Sequence, residues 1–101
     1  MIVDLNQLVR LKGEFRQSGT LFDPTSVKCA IRRPGGKVVE YVYGTDAALV
    51  KESTGLYYVN QLMHLSGVWG YRFYSPTSGQ ESADEQIVRV KAGRAIITPR
   101  N

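Results

Sequence analysis

Cysteine is almost absent from this chain, which has a single one, Cys29, among its 101 residues. One cysteine excludes an intrachain disulfide and a zinc site built from several cysteines. No run approaches the ~18 consecutive apolar residues that a membrane span needs, and the N-terminal residues lack a signal-peptide pattern. We therefore expect one small domain that is made in the cytosol, has no membrane segment and folds without covalent cross-links.

Acidic residues are missing from the C-terminal end, since none follows Glu85. Of the 13 basic residues, four follow residue 88, and the other nine equal the nine acidic residues in number. The net charge of +4 therefore comes from the end of the chain. The four residues responsible are Arg89, Lys91, Arg94 and Arg100. This asymmetry predicts a neutral body over residues 1–88 and a basic C-terminal segment. We place the domain at residues 1–91 and a basic extension at residues 92–101.

Helical periodicity is missing as well. No window longer than a turn or two places apolar residues at i, i+3, i+4 and i+7. Short segments such as Val9 to Arg16 and Val27 to Arg32 instead alternate between apolar and polar residues, and turns rich in glycine or proline separate them. About seven such segments predict an all-β protein, an antiparallel sandwich or barrel with one solvated face on each sheet.

The alternation also predicts the core. Cys29 lies on the apolar face of its strand, so we expect a buried structural thiol and not a reactive one. Trp69, Tyr71 and Phe73 share one face of a later strand. The predicted core residues are Phe15, Val27, Cys29, Ile31, Tyr57, Trp69, Tyr71 and Phe73.

Groups that carry out catalysis or bind ions are scarce. His64 is the only histidine, and it lies beside a predicted loop while Cys29 faces the core, so we expect neither a nucleophilic pair nor a general base. The segment Gly35 to Lys37 lacks the glycine spacing, the following Ser or Thr and the helix of a phosphate-binding loop. The acids within residues 81–85 lack the spacing of a calcium loop. We therefore predict no catalytic residue, no cofactor and no metal.

Several short motifs occur in an order that resembles a known family. In chain order they are Asp23 to Val27, Pro34 to Gly36, Tyr41 to Gly44, Thr54 to Tyr57, Gly67 to Arg72 and Ala83 to Val90. Together they resemble small immunoglobulin-like β-sandwich proteins encoded in phage and prophage structural modules, and the resemblance spans roughly residues 7–91. The resemblance implies an antiparallel immunoglobulin-like or fibronectin-III-like β-sandwich of about seven strands without a disulfide.

In such a sandwich, three kinds of residue have structural roles. Trp69 would fill the space that a disulfide occupies between the sheets of antibody domains. Tyr57 would bury its ring and bond its hydroxyl to nearby backbone, as in a tyrosine corner. Gly55 and Gly67 would supply turn conformations with positive φ.

The function that the resemblance implies is that of a non-enzymatic virion protein of a tailed phage, either a capsid decoration protein or a head–tail connector or neck accessory. Its partners would be other virion proteins (capsid, connector or tail) in a symmetric multi-copy assembly, where weak contacts add up to strong attachment. It would be localised in the virion after synthesis in the host cytoplasm. The alternative is a tail-associated module that adheres to the host surface or to carbohydrate, with an exposed aromatic platform.

Two groups of residues are candidates for the partner contact. Tyr58 and Tyr74 lie on strand faces opposite the predicted core. The extension adds Arg94, Ile96, Ile97 and Arg100, in a segment that is either an arm that orders on a neighbour or a frayed terminus. A basic groove with exposed aromatics would indicate a nucleic-acid binder. The neutral charge of the body weighs against a nucleic-acid partner.

Overall fold

A computed structural model of the chain describes residues 1–76 and 86–91. Within them the backbone forms ten β-strands and no α-helix, which confirms the all-β prediction. The longer strands are β2 (Leu8–Glu14), β5 (Lys28–Arg32), β6 (Val38–Val42), β7 (Leu49–Ser53), β8 (Leu56–Leu62), β9 (Gly67–Tyr74) and β10 (Gln86–Val90). Three strands have two residues each: β1 (Ile2–Val3), β3 (Arg16–Gln17) and β4 (Thr20–Leu21). None of the described residues belongs to a helix long and apolar enough to cross a membrane.

The strands form two larger sheets and a small hairpin. The first sheet has five strands in the order β1-β10-β9-β5-β6, the second has three in the order β2-β8-β7, and β3 pairs with β4. Neighbouring strands run antiparallel, as the alternating pattern predicted, with one exception at the edge of the first sheet.

That exception is β1, which lies parallel to β10. The N–H of Arg89 donates to the carbonyl oxygen of Met1 over 2.8 Å, and the N–H of Lys91 donates to that of Val3 over 2.9 Å. The purely antiparallel prediction is wrong at this edge. A strand of two residues is too short to show an alternating pattern, so β1 can be recognised only from its pairing with β10.

The buried faces of the two larger sheets share one core. All eight side chains predicted for it are in this cluster and are at most 9% exposed. Cys29 is completely buried, and burial raises the pKa of its thiol to about 12. The rest of the cluster consists of Val3, Val9, Leu11, Leu49, Val59, Met63, Val88 and Val90.

The two larger sheets are in close contact where Gly13 of β2 faces Phe73 of β9. A Cβ atom added to Gly13 would lie 2.2 Å from Cγ of Phe73. Position 13 follows Val9 and Leu11 on the core-facing side of β2, where the period of a strand predicts an apolar side chain. Glycine there leaves the space that the Phe73 ring fills.

Candidate partner-binding surface

Two of the sequence motifs meet in one hydrogen-bonded cluster around Asp23. Its Oδ1 accepts hydrogen bonds from the Gly55 N–H over 2.9 Å and from the Tyr57 hydroxyl over 3.2 Å, and its Oδ2 accepts one from Nζ of Lys51 over 2.7 Å. The Lys51 bond, followed by the Gly55 bond, lowers the pKa of Asp23. Desolvation, followed by the charge of Asp23, raises the pKa of Tyr57 to about 12. The cluster ties the loop after β4 to the β7–β8 turn.

The structure corrects the prediction for the Tyr57 hydroxyl and confirms the prediction for two glycines. The Tyr57 ring is buried, but its hydroxyl does not bond nearby backbone, since its partner is the carboxylate of Asp23, 34 residues away in sequence. Gly55 and Gly67 have φ angles of 74° and 122°, the left-handed conformations predicted for them. At Gly55 an added Cβ would also lie 2.9 Å from the carbonyl oxygen of Phe15.

Within the described residues, the side chains that the sequence offered for ion binding form no metal site. His64 is exposed, with its ring edge-on to that of Trp69 at 5.6 Å between centroids. Trp69 donates its indole N–H to the carbonyl oxygen of Leu65 over 3.0 Å. Residues 1–76 and 86–91 contain no group of three or more His, Cys, Asp or Glu side chains placed to hold a metal ion. The acids within residues 81–85 lie outside the described residues.

Tyr58 and Tyr74 lie on the outer faces of different sheets, so the structure does not bring these two candidates together. In β8, the ring of Tyr58 lies under the guanidinium of Arg10, whose Cζ is 3.9 Å from the ring centroid. In β9, Tyr74 lies under Arg72 at 4.5 Å. The Tyr74 hydroxyl also donates to the Glu40 carboxylate, and this bond raises its pKa. The remaining candidates, Arg94, Ile96, Ile97 and Arg100, are outside the described residues.

The outer face of the five-stranded sheet, which we call the five-strand face, exposes aliphatic side chains that the sequence analysis missed. Four are 38–66% exposed: Ile2, Val38, Val68 and Ile87. The register places Gly70 between Ile87 on β10 and Arg32 on β5. A depression of about 270 Å³ lies on this face. Its lining residues are Ala30, Arg32, Val38 and Arg72.

A local signal for these residues is present in the sequence. Each exposed aliphatic belongs to a pair of consecutive apolar residues, as in Val38-Val39 and Ile87-Val88. Because neighbouring residues of a strand point to opposite faces, one member of such a pair must point away from the core. The pattern does not say which strands lie side by side, so it cannot reveal that the four residues share one face.

The five-strand face is basic, although residues 1–88 are neutral in total; Arg89, one of the four residues of the C-terminal charge excess, lies on this face. Among the described residues, four basic side chains and one acidic side chain give it a net charge of +3. They are Lys28, Arg32, Arg72, Arg89 and Glu40. The outer face of the three-stranded sheet, the three-strand face, has two of each sign and no net charge. Its charged residues are Arg10, Lys12, Glu14 and Glu52.

Comparison with known proteins adds no relative to this picture. No protein-family model, no curated protein and no solved structure matches the chain. A functional assignment therefore depends on the residues of the chain and on the two outer faces that its strands build.

Proposed function

We propose that this chain is an immunoglobulin-like structural module that acts through protein–protein contacts in the virion of a tailed phage, as a capsid decoration protein or a head–tail connector or neck accessory. The five-strand face is the observation that carries the protein-binding role. Exposed aliphatic side chains interspersed with arginines are typical of protein interfaces, where arginine is enriched and lysine is depleted. The virion role depends on the motifs between Asp23 and Val90 that resemble phage structural proteins.

The strand order supports the immunoglobulin-like part of the proposal. Immunoglobulin domains place strands B, E and D in one sheet and strands G, F and C, with C′ in variable-type domains, in the other. Lettering β2 as B, β5 as C, β6 as C′ and β7 to β10 as D to G reproduces both orders. The hairpin of β3 and β4 then falls between B and C.

The contact between β2 and β9 fits the same scheme. In antibody domains a disulfide joins strands B and F. Here the corresponding strands meet through Gly13 and Phe73, so close packing takes the place of a covalent link. Such a domain depends on its core for stability, as a protein with one cysteine must.

The adhesion alternative requires an aromatic platform. Within the described residues, Tyr58 and Tyr74 lie on different faces and an arginine covers each ring. The exposed Tyr43 packs edge-on to Tyr57 at 5.4 Å between ring centroids and does not lie beside either of them on a sheet face. Aliphatic side chains on the five-strand face favour a protein partner over a sugar, because sugar rings stack on exposed aromatic planes. We therefore rank the virion role above adhesion.

Mass spectrometry of purified phage particles tests the proposal directly. We expect peptides of this chain in particles produced by the phage or prophage that encodes it, at a constant ratio to the capsid protein. Particles from a host in which the gene is deleted serve as the control. Consistent absence of the chain from wild-type particles would contradict the virion role.

The basic extension is tested separately. Deleting residues 92–101 should leave the thermal unfolding midpoint unchanged and reduce the amount of chain in particles. The deletion removes the candidate contacts Arg94, Ile96, Ile97 and Arg100 together. Unchanged incorporation would show that these residues are not the contact and would leave the five-strand face as the candidate.

A further inference from the structure

We propose that the five-strand face binds an acidic protein surface that also presents aliphatic side chains. This inference rests on the proposed protein-binding function and adds the place and the chemistry of the contact. The three-strand face is the internal comparison, because it belongs to the same domain and also exposes aliphatic side chains, Leu8 and Leu62, but has no net charge among the described residues.

The positive charge of the five-strand face favours a partner with a negatively charged surface. Arg72 and Arg89 occupy exposed, outward positions on β9 and β10, and Glu40 is the one acidic side chain that the register places among the outward positions of this face. Its carboxylate already accepts the Tyr74 hydroxyl and lies 4.0 Å from Nζ of Lys28. Arginine guanidinium groups bind carboxylates through paired hydrogen bonds, so a partner rich in Asp or Glu matches this face.

The aliphatic residues select a protein over a nucleic acid. Ile87 and Val68 offer apolar area beside the arginines, whereas binding of single-stranded nucleic acid relies on open aromatic rings for base stacking. The tyrosine of this face, Tyr74, has its ring under Arg72 and its hydroxyl on a carboxylate that would repel phosphate. The face therefore offers burial of aliphatic groups, which an amphipathic protein surface can match.

Like charge disfavours two other occupants. A second copy would bring a face with a net charge of +3 against one of the same charge. The extension over residues 92–101 contains Arg94 and Arg100 and no acidic residue. Neither supplies carboxylates that would complement the positive charge of the five-strand face.

The test is an NMR titration of the full-length ¹⁵N-labelled chain with a peptide of about ten residues that alternates Glu and Val, a probe whose carboxylates can pair with arginine. Comparison probes are the Glu/Ser and Lys/Val versions and a dT oligomer of similar length. We expect shift changes on β9, β10, β5 and β6, with the Glu/Val peptide binding at least about fivefold more tightly than any comparison probe.

The chain offers a closely matched pair of variants. Arg72 and Arg10 are both exposed, lie on outward strand positions and cover a tyrosine ring, but on opposite faces. Arg72→Glu should lower the affinity for the Glu/Val peptide by about fivefold or more, whereas Arg10→Glu should change that affinity by less than about twofold. Ile87→Ser should lower the affinity for the Glu/Val peptide and leave the affinity for the Glu/Ser peptide unchanged.

Several outcomes would overturn the inference. The first two are an equal loss of affinity for the Glu/Val peptide in Arg72→Glu and Arg10→Glu, and tighter binding of the dT oligomer than of the Glu/Val peptide. The others are equal affinity for the Glu/Ser and Glu/Val peptides, and a dimer in analytical sedimentation that Arg72→Glu abolishes. A chain with Glu81→Gln, Asp84→Asn and Glu85→Gln should bind the peptide as the wild type does. Much tighter binding would show that these acids of the chain itself occupy the face, which also contradicts the inference.

Failure of the inference and failure of the proposed function are distinguishable. If Arg72→Glu is incorporated into particles as well as the wild type, the virion role stands and the contact lies elsewhere. If the chain is absent from particles, the virion role fails. The inference about the five-strand face still holds in that case, provided that the Glu/Val peptide shifts the resonances of this face and the variants change its affinity as expected.

Discussion

Replacing Gly13 with Ala should destabilise the protein, although the same change in most strands does the opposite. Alanine loses less backbone entropy on folding than glycine, and in a strand interior it is favoured by ~0.5–1 kcal/mol. Gly13 does not have a positive φ, so its backbone accepts alanine without strain. Without a steric contact, the substitution would raise the free energy of unfolding.

The contact with Phe73 reverses that sign. The new Cβ would lie 2.2 Å from Cγ of Phe73 and 2.6 Å from its Cβ and Cδ1. The Phe73 ring is 4% exposed and packs edge-on to Tyr71, while β9 is hydrogen-bonded to strands on both sides, so neither ring nor strand can move freely. Overpacking of a core costs ~1–3 kcal/mol. We expect a net loss of about 1–2 kcal/mol, with Tm falling by ~4–8 °C for each kcal/mol.

Urea unfolding followed by the fluorescence of the buried Trp69 measures this loss. Ala30→Gly, in the middle of β5, is the control, and it should cost the usual ~0.5–1 kcal/mol for glycine in a strand. Glycine to alanine at position 13 and alanine to glycine at position 30 would then both destabilise the protein. The steric contact with Phe73 explains this result, whereas the intrinsic preference of strands for alanine over glycine does not. A Gly13→Ala variant as stable as the wild type, or more so, would refute the reasoning.

Three further predictions concern buried or bonded side chains. Asp23→Ala should lower Tm at neutral pH. Because the folded protein holds the Asp23 pKa below its ordinary value of 3.8, the difference from wild type should persist above that pH and shrink as the pH falls through the folded value. A stability difference that stays constant down to the lowest pH at which both proteins fold would contradict this. Trp69→Ala should cost ~3–5 kcal/mol by thermal unfolding followed by circular dichroism, and an unchanged midpoint would show that its burial contributes nothing. Cys29 should react with a thiol reagent only as fast as the protein unfolds, because burial raises its pKa to about 12, so rapid labelling of the native protein at pH 8 would be the contrary result.

The sequence alone determined where the seven longer strands form and which face of several of them is buried, whereas the two-residue strands β1, β3 and β4 have no such pattern. Trp69, Tyr71 and Phe73 alternate with polar or small residues, and this period places them on one face whatever the neighbouring strands are. The turns at Gly55 and Gly67 were equally predictable, because a positive φ is a property of a single residue. These features need no information about distant parts of the chain.

Only the tertiary structure decided which strands are neighbours, and several features follow from that choice. The parallel pairing of β1, the bond from Tyr57 to Asp23 and the contact of Gly13 with Phe73 each join residues that are far apart in sequence. The candidate surface arises in the same way. Ile87, Arg32 and Val38 belong to three different strands, and a charge balance taken along the chain averages over faces that the fold separates. Residues 1–88 are neutral because charges of opposite sign cancel in sequence, while the five-strand face is basic because the sheet order brings Arg32, Arg72 and Arg89 to one side.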